Sequence, residues 1–425
     1  MSIANILKNI PLPEMLHINY SFHALPPCDF EHDLKAKVRE KGVMKGIKKG
    51  ARIGITAGSR GITNLPAIIS ELVRMLKEAG AEPFVFPAMG SHGGATAEGQ
   101  RKVLEKYGVT EDFVGCKIIS SMETVQIGTT EKGLPVYMDK CAWECDGVIV
   151  LNRVKPHTSF RGKHESGIVK MLVIGMGKQK GAEICHQLGF EAMAGNIVEI
   201  AKVVLASGRI LFGVGVVENP EHQTCRIDVA LPEEFFAKDA EMLDTAWENF
   251  PRLPFEKADV LVIDEIGKEI SGTGFDNNVV GRFPPNKSIM PKIPIEITRI
   301  AVLRLSEKTG GNGNGIGRAD TTTRELFNRF VFDEAYPNSL TSTAVDSVKL
   351  PMVLDNDELA IKAAVKTSLI LDYSRVKMAR IKNTSQLEDI WVSRALYEDI
   401  KDHPYVRLTG EDFHPIEFDE NGNIK

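Results

Sequence analysis

The sequence predicts an α/β protein of two domains with mainly parallel sheets. Its 425 residues exceed the roughly 250–300 residues that one hydrophobic core serves, so two domains are expected. From Arg52 onward, apolar strand patterns alternate with helical patterns, which is the order of a parallel sheet. A new apolar strand pattern, Asp259–Asp264, follows the proline-containing segment Pro251–Glu256. This break predicts an N-terminal domain over 1–250 and a C-terminal α/β domain over 251–425.

The first domain is predicted to open with two strand–helix units after a polar lead-in over residues 1–50. Pro66 suits a first helical turn and Gly80 suits the position just past a helix, so they bracket the first helix. The predicted elements are a strand at Arg52–Thr56, a turn at Ala57–Thr63, a helix at Asn64–Ala79, a strand at Glu82–Pro87, a loop at Ala88–Ala95 and a helix at Thr96–Tyr107. Both connections then lie at carboxyl ends of parallel strands, where α/β folds bind ligands.

The rest of the first domain is predicted to add further strands and helices to this sheet. Asp146–Leu151 contains the apolar run GVIVL, which is typical of a buried strand. The other predicted elements are short strands within Cys116–Met138, a helix at Ala192–Leu205, a strand at Leu211–Val216 and a mainly helical piece at Pro232–Phe250.

The second domain also contains a strand followed by a glycine-rich loop. A strand is predicted at Ile300–Leu305, and the loop is Thr309–Gly317. The loop lacks the terminal Gly-Lys-Ser/Thr of a P-loop and is a poor dinucleotide fingerprint. We expect it to be a flexible lid, and we expect this domain to close over a cleft that holds the active site.

Composition excludes several classes of function. With 43% hydrophobic and 26% charged residues and a net charge of -5, the chain is typical of a soluble globular protein and gives no sign of nucleic-acid binding. No apolar run approaches the roughly 18–20 residues of a membrane span, and no signal peptide is recognisable. The six cysteines are scattered, as in a reducing compartment, without the spacing of a zinc or iron–sulfur site. We therefore expect a cytoplasmic protein.

A basic segment, Asn152–Gly189, has the character of a binding loop. Between Arg153 and Lys180 it holds seven Lys/Arg and two His but one acid, Glu165. Its glycines allow close approach of the backbone to a ligand and leave N–H groups available. A basic cluster in an acidic chain predicts a small anionic ligand.

The turns after the first two strands carry candidate functional side chains. Ala57-Gly58-Ser59-Arg60 ends in Arg60, whose bidentate fork suits a phosphate or a carboxylate. Gly90-Ser91-His92-Gly93-Gly94 places His92 among small residues, so its imidazole can project into a cleft.

The basic segment contains a further pattern: the Pro156-His157 pair, a glycine-rich run that ends in Lys170, and His186 sixteen residues after that lysine. This pattern resembles the lactate racemase family, whose members use a nickel pincer nucleotide as cofactor. The turn with Arg60 is similar to the family's Asp-x-Thr-Arg signature, but Ala57 replaces its acid. The matching motifs cover residues 50–190.

The resemblance implies a racemase or epimerase of a small 2-hydroxy acid, with the cofactor attached covalently through Lys170. In that reaction, hydride removal leaves a planar keto acid, and a hydroxyl proton must be exchanged on each side. The resemblance therefore implies His92 and His157 as two acid/bases. It implies His186 as the nickel ligand, because imidazole is a suitable donor. Desolvation in the apolar run GIVKMLVIGM is expected to make Lys170 nucleophilic. The further cofactor-binding residues that we assign are Arg60, Ser59, Ser91 and Lys178.

Other side chains and other functions compete with this interpretation. His164 is the main competitor for the roles of His157 and His186, although its charged neighbours are typical of a solvated face. The candidates for substrate contact in the second domain are Asp276, Asn278 and Arg282. One alternative is a metal-dependent hydrolase or lyase without the pincer nucleotide, and another is a non-catalytic nucleotide- or anion-binding homologue. The identity of the 2-hydroxy acid and the oligomeric state, with a homodimer as one option, stay open.

Overall fold

A computed structural model describes residues 2–59, 61–187, 189–283 and 292–425. The chain forms two compact units: Ala24–Phe250, and Pro251–Lys425 together with the N-terminal segment that ends at His23. Each unit combines helices with a sheet in which most neighbouring strands are parallel. The predicted α/β class with mainly parallel sheets is confirmed.

The secondary structure is numbered along the chain. The strands are β1 (Met15–Tyr20), β2 (Arg52–Ala57), β3 (Glu82–Pro87), β4 (Lys117–Ile118), β5 (Thr124–Thr129), β6 (Pro135–Asp139), β7 (Gly147–Arg153), β8 (Ile210–Glu218), β9 (Thr224–Ala230), β10 (Lys257–Ile266), β11 (Glu296–Leu305), β12 (Thr321–Thr323), β13 (Met352–Leu354), β14 (Met378–Asn383), β15 (Gln386–Ser393) and β16 (Val406–Leu408). The helices are α1 (Ile3–Leu7), α2 (Phe30–Lys41), α3 (Leu65–Glu78), α4 (Ala97–Lys106), α5 (Glu111–Val114), α6 (Lys140–Glu144), α7 (Ile168–Lys170), α8 (Lys178–His186), α9 (Gly189–Ala206), α10 (Phe235–Glu248), α11 (Asn277–Val280), α12 (Arg324–Arg329), α13 (Phe332–Ser342), α14 (Asp357–Lys366) and α15 (Arg394–Ile400). A π-helical segment, Met171–Gly175, directly follows α7. Within the described ranges, no helix is both long enough and apolar enough to cross a bilayer.

The unit Ala24–Phe250 is built on a six-stranded sheet with the order β4-β3-β2-β7-β8-β9. Strands β4, β3, β2, β7 and β8 run parallel to one another, and β9 closes the edge antiparallel to β8. Strands β5 and β6 form a separate antiparallel pair. Strand β2 lies between β3 and β7. The loops that follow these three strands therefore leave the sheet at one common edge.

Local sequence accounts for the first elements of this sheet. Helix α3 begins after Asn64 and has a proline in its first turn, and Gly80 beyond its end has a positive φ of 85°. The hydroxyl of Thr96 accepts a hydrogen bond from the N–H of Gly99 and so caps α4. The buried face of α3 consists of apolar residues at helical spacing: Leu65, Ile68, Ile69, Leu72, Val73 and Leu76. The predicted strands and helices of this region are confirmed to within two residues.

The second unit contains an eight-stranded sheet with the order β13-β12-β11-β10-β14-β15-β1-β16. Its first five strands are parallel to their neighbours, whereas β15, β1 and β16 are added antiparallel. The predicted strands Asp259–Asp264 and Ile300–Leu305 lie within β10 and β11.

The domain prediction assigned residues 1–23 to the first domain, whereas strand pairing assigns them to the second. Strand β1 pairs with β15 and with β16, and its central residue Ile18 is fully buried opposite Ile390. This pairing joins residues that are far apart in the chain, so no local pattern of charge or hydropathy reports it.

The loop Thr309–Gly317 is part of the interior of its unit, and the expectation of a flexible lid is corrected. Asn314 is buried, and its side-chain oxygen accepts hydrogen bonds from the hydroxyls of Ser339 (3.2 Å) and Ser347 (2.7 Å). Its side-chain N–H donates to the carbonyl oxygen of Gly272 at 3.2 Å. Glycine-rich sequence here serves close packing, since a Cβ at Gly315 would lie 1.7 Å from the carbonyl oxygen of Thr273.

We expect Ile18→Ala to destabilise the unit that contains Pro251–Lys425. Removing a fully buried isoleucine side chain costs about 2–5 kcal/mol of unfolding free energy, because it loses transfer energy and leaves a cavity. Hydrogen exchange measured by mass spectrometry should show faster exchange in β15 and β16, with β2 and β3 unchanged. Ile6→Ala, at a side chain that is exposed, is the control. Faster exchange in β2 and β3 instead would contradict the assignment of β1.

Candidate functional site

The loops after β2 and β3 lie against one helical stretch, residues 168–186, which comprises α7, the π-helical segment and α8. The N–H of Gly90 donates to the carbonyl oxygen of Gly175 at 3.4 Å. A Cβ placed on Gly58 would lie 3.2 Å from the Cε of Met171. The stretch 168–186 therefore forms a common wall for the loops at this edge of the sheet.

Glycine is required where this wall meets the β3 loop. A Cβ on Gly175 would lie 2.7 Å from the carbonyl oxygen of Ala88, and one on Gly177 would lie 2.3 Å from the carbonyl oxygen of Val173. Backbone atoms cannot give way as a flexible side chain can. Gly175 thus permits the close approach of helix and loop, and Gly177 permits close packing of the backbone within the stretch 168–186 itself.

The loop after β7 is closed on itself and organised around a buried carboxylate. Lys155 and Ser166 exchange backbone hydrogen bonds of 2.7 and 3.2 Å. The carboxylate of Glu165, only 2% exposed, accepts the N–H of His157 at 2.7 Å and lies 3.5 Å from the guanidinium of Arg161. These bonds hold the backbone of His157 in one place.

The ring of His157 is held in a defined tautomer. The backbone N–H of Ser159 donates to its Nδ1 at 3.0 Å, so the neutral ring carries its proton on Nε2. The ring lies against Phe160, with 4.3 Å between centroids. Burial lowers the pKa of His157 well below its ordinary value, and the nearby charge of Lys170 lowers it further. His157 is therefore neutral near pH 7.

Lys170 and His186 complete a group with His157. The Nζ of Lys170 lies 5.7 Å from the centroid of the Phe160 ring. The Nδ1–H of His186 donates to the carbonyl oxygen of Ala182 at 2.6 Å, which leaves a lone pair on Nε2. Burial lowers the pKa of His186, and the charge of Lys170 lowers it further. We call these three side chains the His–Lys–His group.

Cys185, next to His186 in sequence, is fully buried, and burial raises the pKa of its thiol to about 12 in the metal-free protein. The thiol form is therefore favoured when no metal is bound.

His92 lies on the neighbouring β3 loop and is half-buried. Its Nδ1–H donates to the carbonyl oxygen of Met89 at 2.8 Å, so Nε2 is the unprotonated nitrogen of the neutral ring. The side chain of Gln100 donates to the carbonyl oxygen of His92 at 3.2 Å. The structure thus brings His157, Lys170 and His186 together and places His92 on a loop that lies against the same wall.

Lys178 does not occupy the position of a cofactor-binding residue, which corrects that prediction. Its side chain is fully buried, and its ammonium lies 2.9 Å from the carboxylate of Asp139. It also donates to the carbonyl oxygen of Pro87 and to the Oε1 of Gln100. The positive charge of Lys178 is therefore neutralised inside the unit by Asp139.

Three of the seven cations in the basic segment, Arg153, Arg161 and Lys178, are paired with carboxylates in the folded chain. Arg153 pairs with Glu218, and Arg161 lies beside Glu165 and over the ring of Trp247. The acids come largely from distant parts of the chain and are themselves buried. The inference of an anionic ligand from local charge alone is weakened accordingly.

His164 is buried, contrary to the expectation of a solvated face. It is 6% exposed, and its Nδ1 lies 3.0 Å from Oδ2 of Asp239. The other oxygen of Asp239 accepts the N–H of Val169 at 3.2 Å. Asp239 therefore ties α10 both to His164 and to the beginning of α7, and His164 serves the architecture of the site.

The remaining predicted site residues lie in different parts of the chain, and their surroundings differ. Ser59 and Ser91 are half-buried on the loops after β2 and β3, and Arg60 lies outside the described residues. In the second unit, Arg282 is bonded to Asp320 at 2.8 Å and Asp276 caps α11. Neither contact bears on a substrate, so the prediction of substrate contacts there stays a prediction. Asn278 lies in the first turn of α11 and is buried.

Three comparisons with known proteins bear on the chain. A family model described as a domain of unknown function (DUF362) matches residues 53–246, which is less than half of the chain. The lactate racemase apoprotein from Thermoanaerobacterium thermosaccharolyticum is similar with a TM-score of 0.49 and 14% identity, over 88% of this chain and 93% of that one. A protein from Thermotoga maritima is similar with a TM-score of 0.47 and 12% identity, over 82% of this chain and 96% of that one. A search of curated proteins gives no match.

The side chains of the site do not form a conventional metal centre. In the parts of the chain that are described, no three His, Cys, Asp or Glu side chains are grouped as metal ligands. The Nε2 of His186 is a single imidazole donor, so a metal held there needs its other ligands from a bound molecule.

We expect His157 and His186 to be neutral at pH 6.5 and to be opposite tautomers. Nitrogen chemical shifts of ¹⁵N-labelled histidine should report the proton on Nε2 of His157 and on Nδ1 of His186, with His157→Gln and His186→Gln assigning the signals. Because both folded pKa values lie below the ordinary value of 6.5, the unfolded state binds more protons below that pH. Stability should therefore fall as pH falls from 6.5 towards the folded pKa values, and less steeply in each variant. A doubly protonated ring at pH 6.5 would contradict this.

Proposed function

We propose that this protein is a racemase or epimerase of a small 2-hydroxy acid that uses a nickel pincer nucleotide. The observation that carries the proposal is the His–Lys–His group. Lys170 and His157 share contacts with Phe160, and the charge of Lys170 acts on both imidazoles. These are the residues to which the sequence resemblance gave the roles of attachment, metal ligation and proton exchange.

The residues present fit such a cofactor. Lys170 would attach it, and the Nε2 of His186 would be the protein ligand to nickel, because Nδ1 is already committed to Ala182. Bound there, the cofactor would supply a nickel-bearing pyridinium ring that accepts hydride from the substrate carbon. The neutral state of His186 favours metal ligation, since a protonated imidazole cannot coordinate.

The two proposed acid/bases differ in the free protein. His92 has an unprotonated Nε2, which is the form that a base requires. His157 has its proton on Nε2, because its Nδ1 accepts the N–H of Ser159. For His157 to act as a base through Nε2, Nδ1 must carry the proton instead, and the Ser159 hydrogen bond must break. Proton exchange at His157 therefore includes a local rearrangement that His92 does not need.

The binding alternative has less support from the charges. A nucleotide- or anion-binding homologue would use the cations of the basic segment, yet Arg153, Arg161 and Lys178 are engaged with buried carboxylates. A pair of imidazoles at the site is also more than a binder requires.

We expect Lys170→Ala protein, purified from a host that makes the cofactor, to lack a covalent adduct in its intact-mass spectrum. Lys163→Ala removes an exposed cation from the same segment and should keep the adduct. His186→Ala should lose nickel, measured by inductively coupled plasma mass spectrometry. An adduct retained in Lys170→Ala, or stoichiometric nickel retained in His186→Ala, would refute the respective assignment.

We expect His92→Ala and His157→Ala each to lose racemisation in both directions by about 10²–10⁴-fold, because a full turnover uses both bases. The half-reactions should differ. With His92→Ala, one pure enantiomer should still bleach the cofactor absorbance in a single turnover while the other fails, and His157→Ala should show the reverse preference. Cofactor content should be unchanged in both. Equal bleaching by both enantiomers in both variants would rule out face-specific bases.

A further inference from the structure

The side-chain amide of Gln100 is the link between the His92 loop and the wall of the site. Gln100 lies in α4 and is fully buried. Its Nε2 donates to the carbonyl oxygens of Gly90 (2.9 Å) and His92 (3.2 Å), and its Oε1 accepts from the ammonium of Lys178 (3.2 Å). Carbonyls only accept and an ammonium only donates, so the amide has one satisfactory orientation. Reversing it would break all three bonds.

Lys178 anchors this link from the other side. Its three N–H groups have three acceptors: the carbonyl oxygen of Pro87, Oε1 of Gln100 and Oδ2 of Asp139. The other oxygen of Asp139 accepts the N–H of Cys141 at 2.7 Å and caps α6. Lys178 itself has a φ of 55°, a left-handed backbone conformation that residues other than glycine rarely adopt. The residue is thus held in a strained backbone position by a fully satisfied ammonium.

The same network reaches both ends of the candidate site. Lys178 begins α8, and His186 ends it. Pro87 is the last residue of β3, and the carbonyls of Gly90 and His92 belong to the loop that follows. These hydrogen bonds therefore fix the position of the His92 loop relative to α8, the helix that carries His186.

We propose that Gln100 and Lys178 are positioning residues that hold the His92 loop, and with it the Nε2 of His92, in register with α8 for proton exchange. This inference rests on the proposed function, because it assigns the purpose of the network to that reaction. Neither side chain touches the substrate, since both are fully buried. Misplacing a reacting group by about 1 Å can cost up to about 10²-fold in rate, which is the effect expected if the loop is released.

Gln100→Glu separates the two halves of the network. The carboxylate keeps an acceptor for Lys178 but has no N–H for the carbonyls of Gly90 and His92, so the loop is released while the anchor stays. We expect faster amide hydrogen exchange over residues 88–95, with residues 153–170 unchanged. In loaded enzyme, the half-reaction that depends on His92 should slow by up to about 10²-fold, and the one that depends on His157 should keep its rate.

Two further variants provide a second test and a control. Gln100→Met removes all three bonds at similar volume and should give the same selective effect if Gln100→Glu fails to fold. Gln179→Met changes an exposed glutamine of α8 and should behave as wild type. Exchange over 88–95 that matches wild type would overturn the inference, as would equal slowing of both half-reactions or failure of both Gln100 variants to fold. If the loaded wild-type protein shows no half-reaction, the proposed function fails. The amide hydrogen exchange of residues 88–95 in the Gln100 variants then decides by itself whether Gln100 positions the loop.

Discussion

A buried charge in this protein needs an opposite charge or a full set of hydrogen bonds, and the candidate site is built under that constraint. Lys178 meets Asp139, Glu165 meets Arg161, and His164 meets Asp239. Each pair joins different parts of the unit or closes a loop. The chain positions its functional side chains by satisfying the charges next to them.

This constraint changes what the basic segment offers a ligand. Once its arginines and Lys178 are paired, the surroundings of His157 include the ring of Phe160, the neutral imidazole of His186 and the half-buried Lys170. Burial keeps the imidazoles of His157 and His186 unprotonated, and the charge of Lys170 adds to this effect.

Sequence predicted those features that are encoded locally. Strands β2, β3 and β7 and helix α3 follow from apolar periodicity, a proline in the first turn and glycine at the end, all of which act over a few residues. The grouping of His157, Lys170 and His186 followed from spacing together with a family resemblance. Closure of the second domain over a cleft stays a prediction.

Features that depend on distant partners could not be predicted. The acids that neutralise Arg153 and Lys178 are Glu218 and Asp139, which no local charge count includes. The charged neighbours of His164 suggested solvent, but Asp239 from α10 buries it. The glycines of Thr309–Gly317 suggested mobility, although in the fold they allow backbone atoms to approach.

The pairing of β1 with β15 and β16 also has a consequence for biosynthesis. Asn19 bonds to Asp389, a separation of 370 residues, so the N-terminal strand leaves the ribosome long before its partners. At translation rates of about 5–20 residues per second, that wait is roughly 20–75 s. The unit Ala24–Phe250 is synthesised in the interval and can fold while the strand Met15–Tyr20 still has exposed backbone edges. An unpaired apolar strand of this kind is a substrate for chaperones and a starting point for aggregation. Because of this topology, the strand needs protection on the nascent chain until its partners have been synthesised.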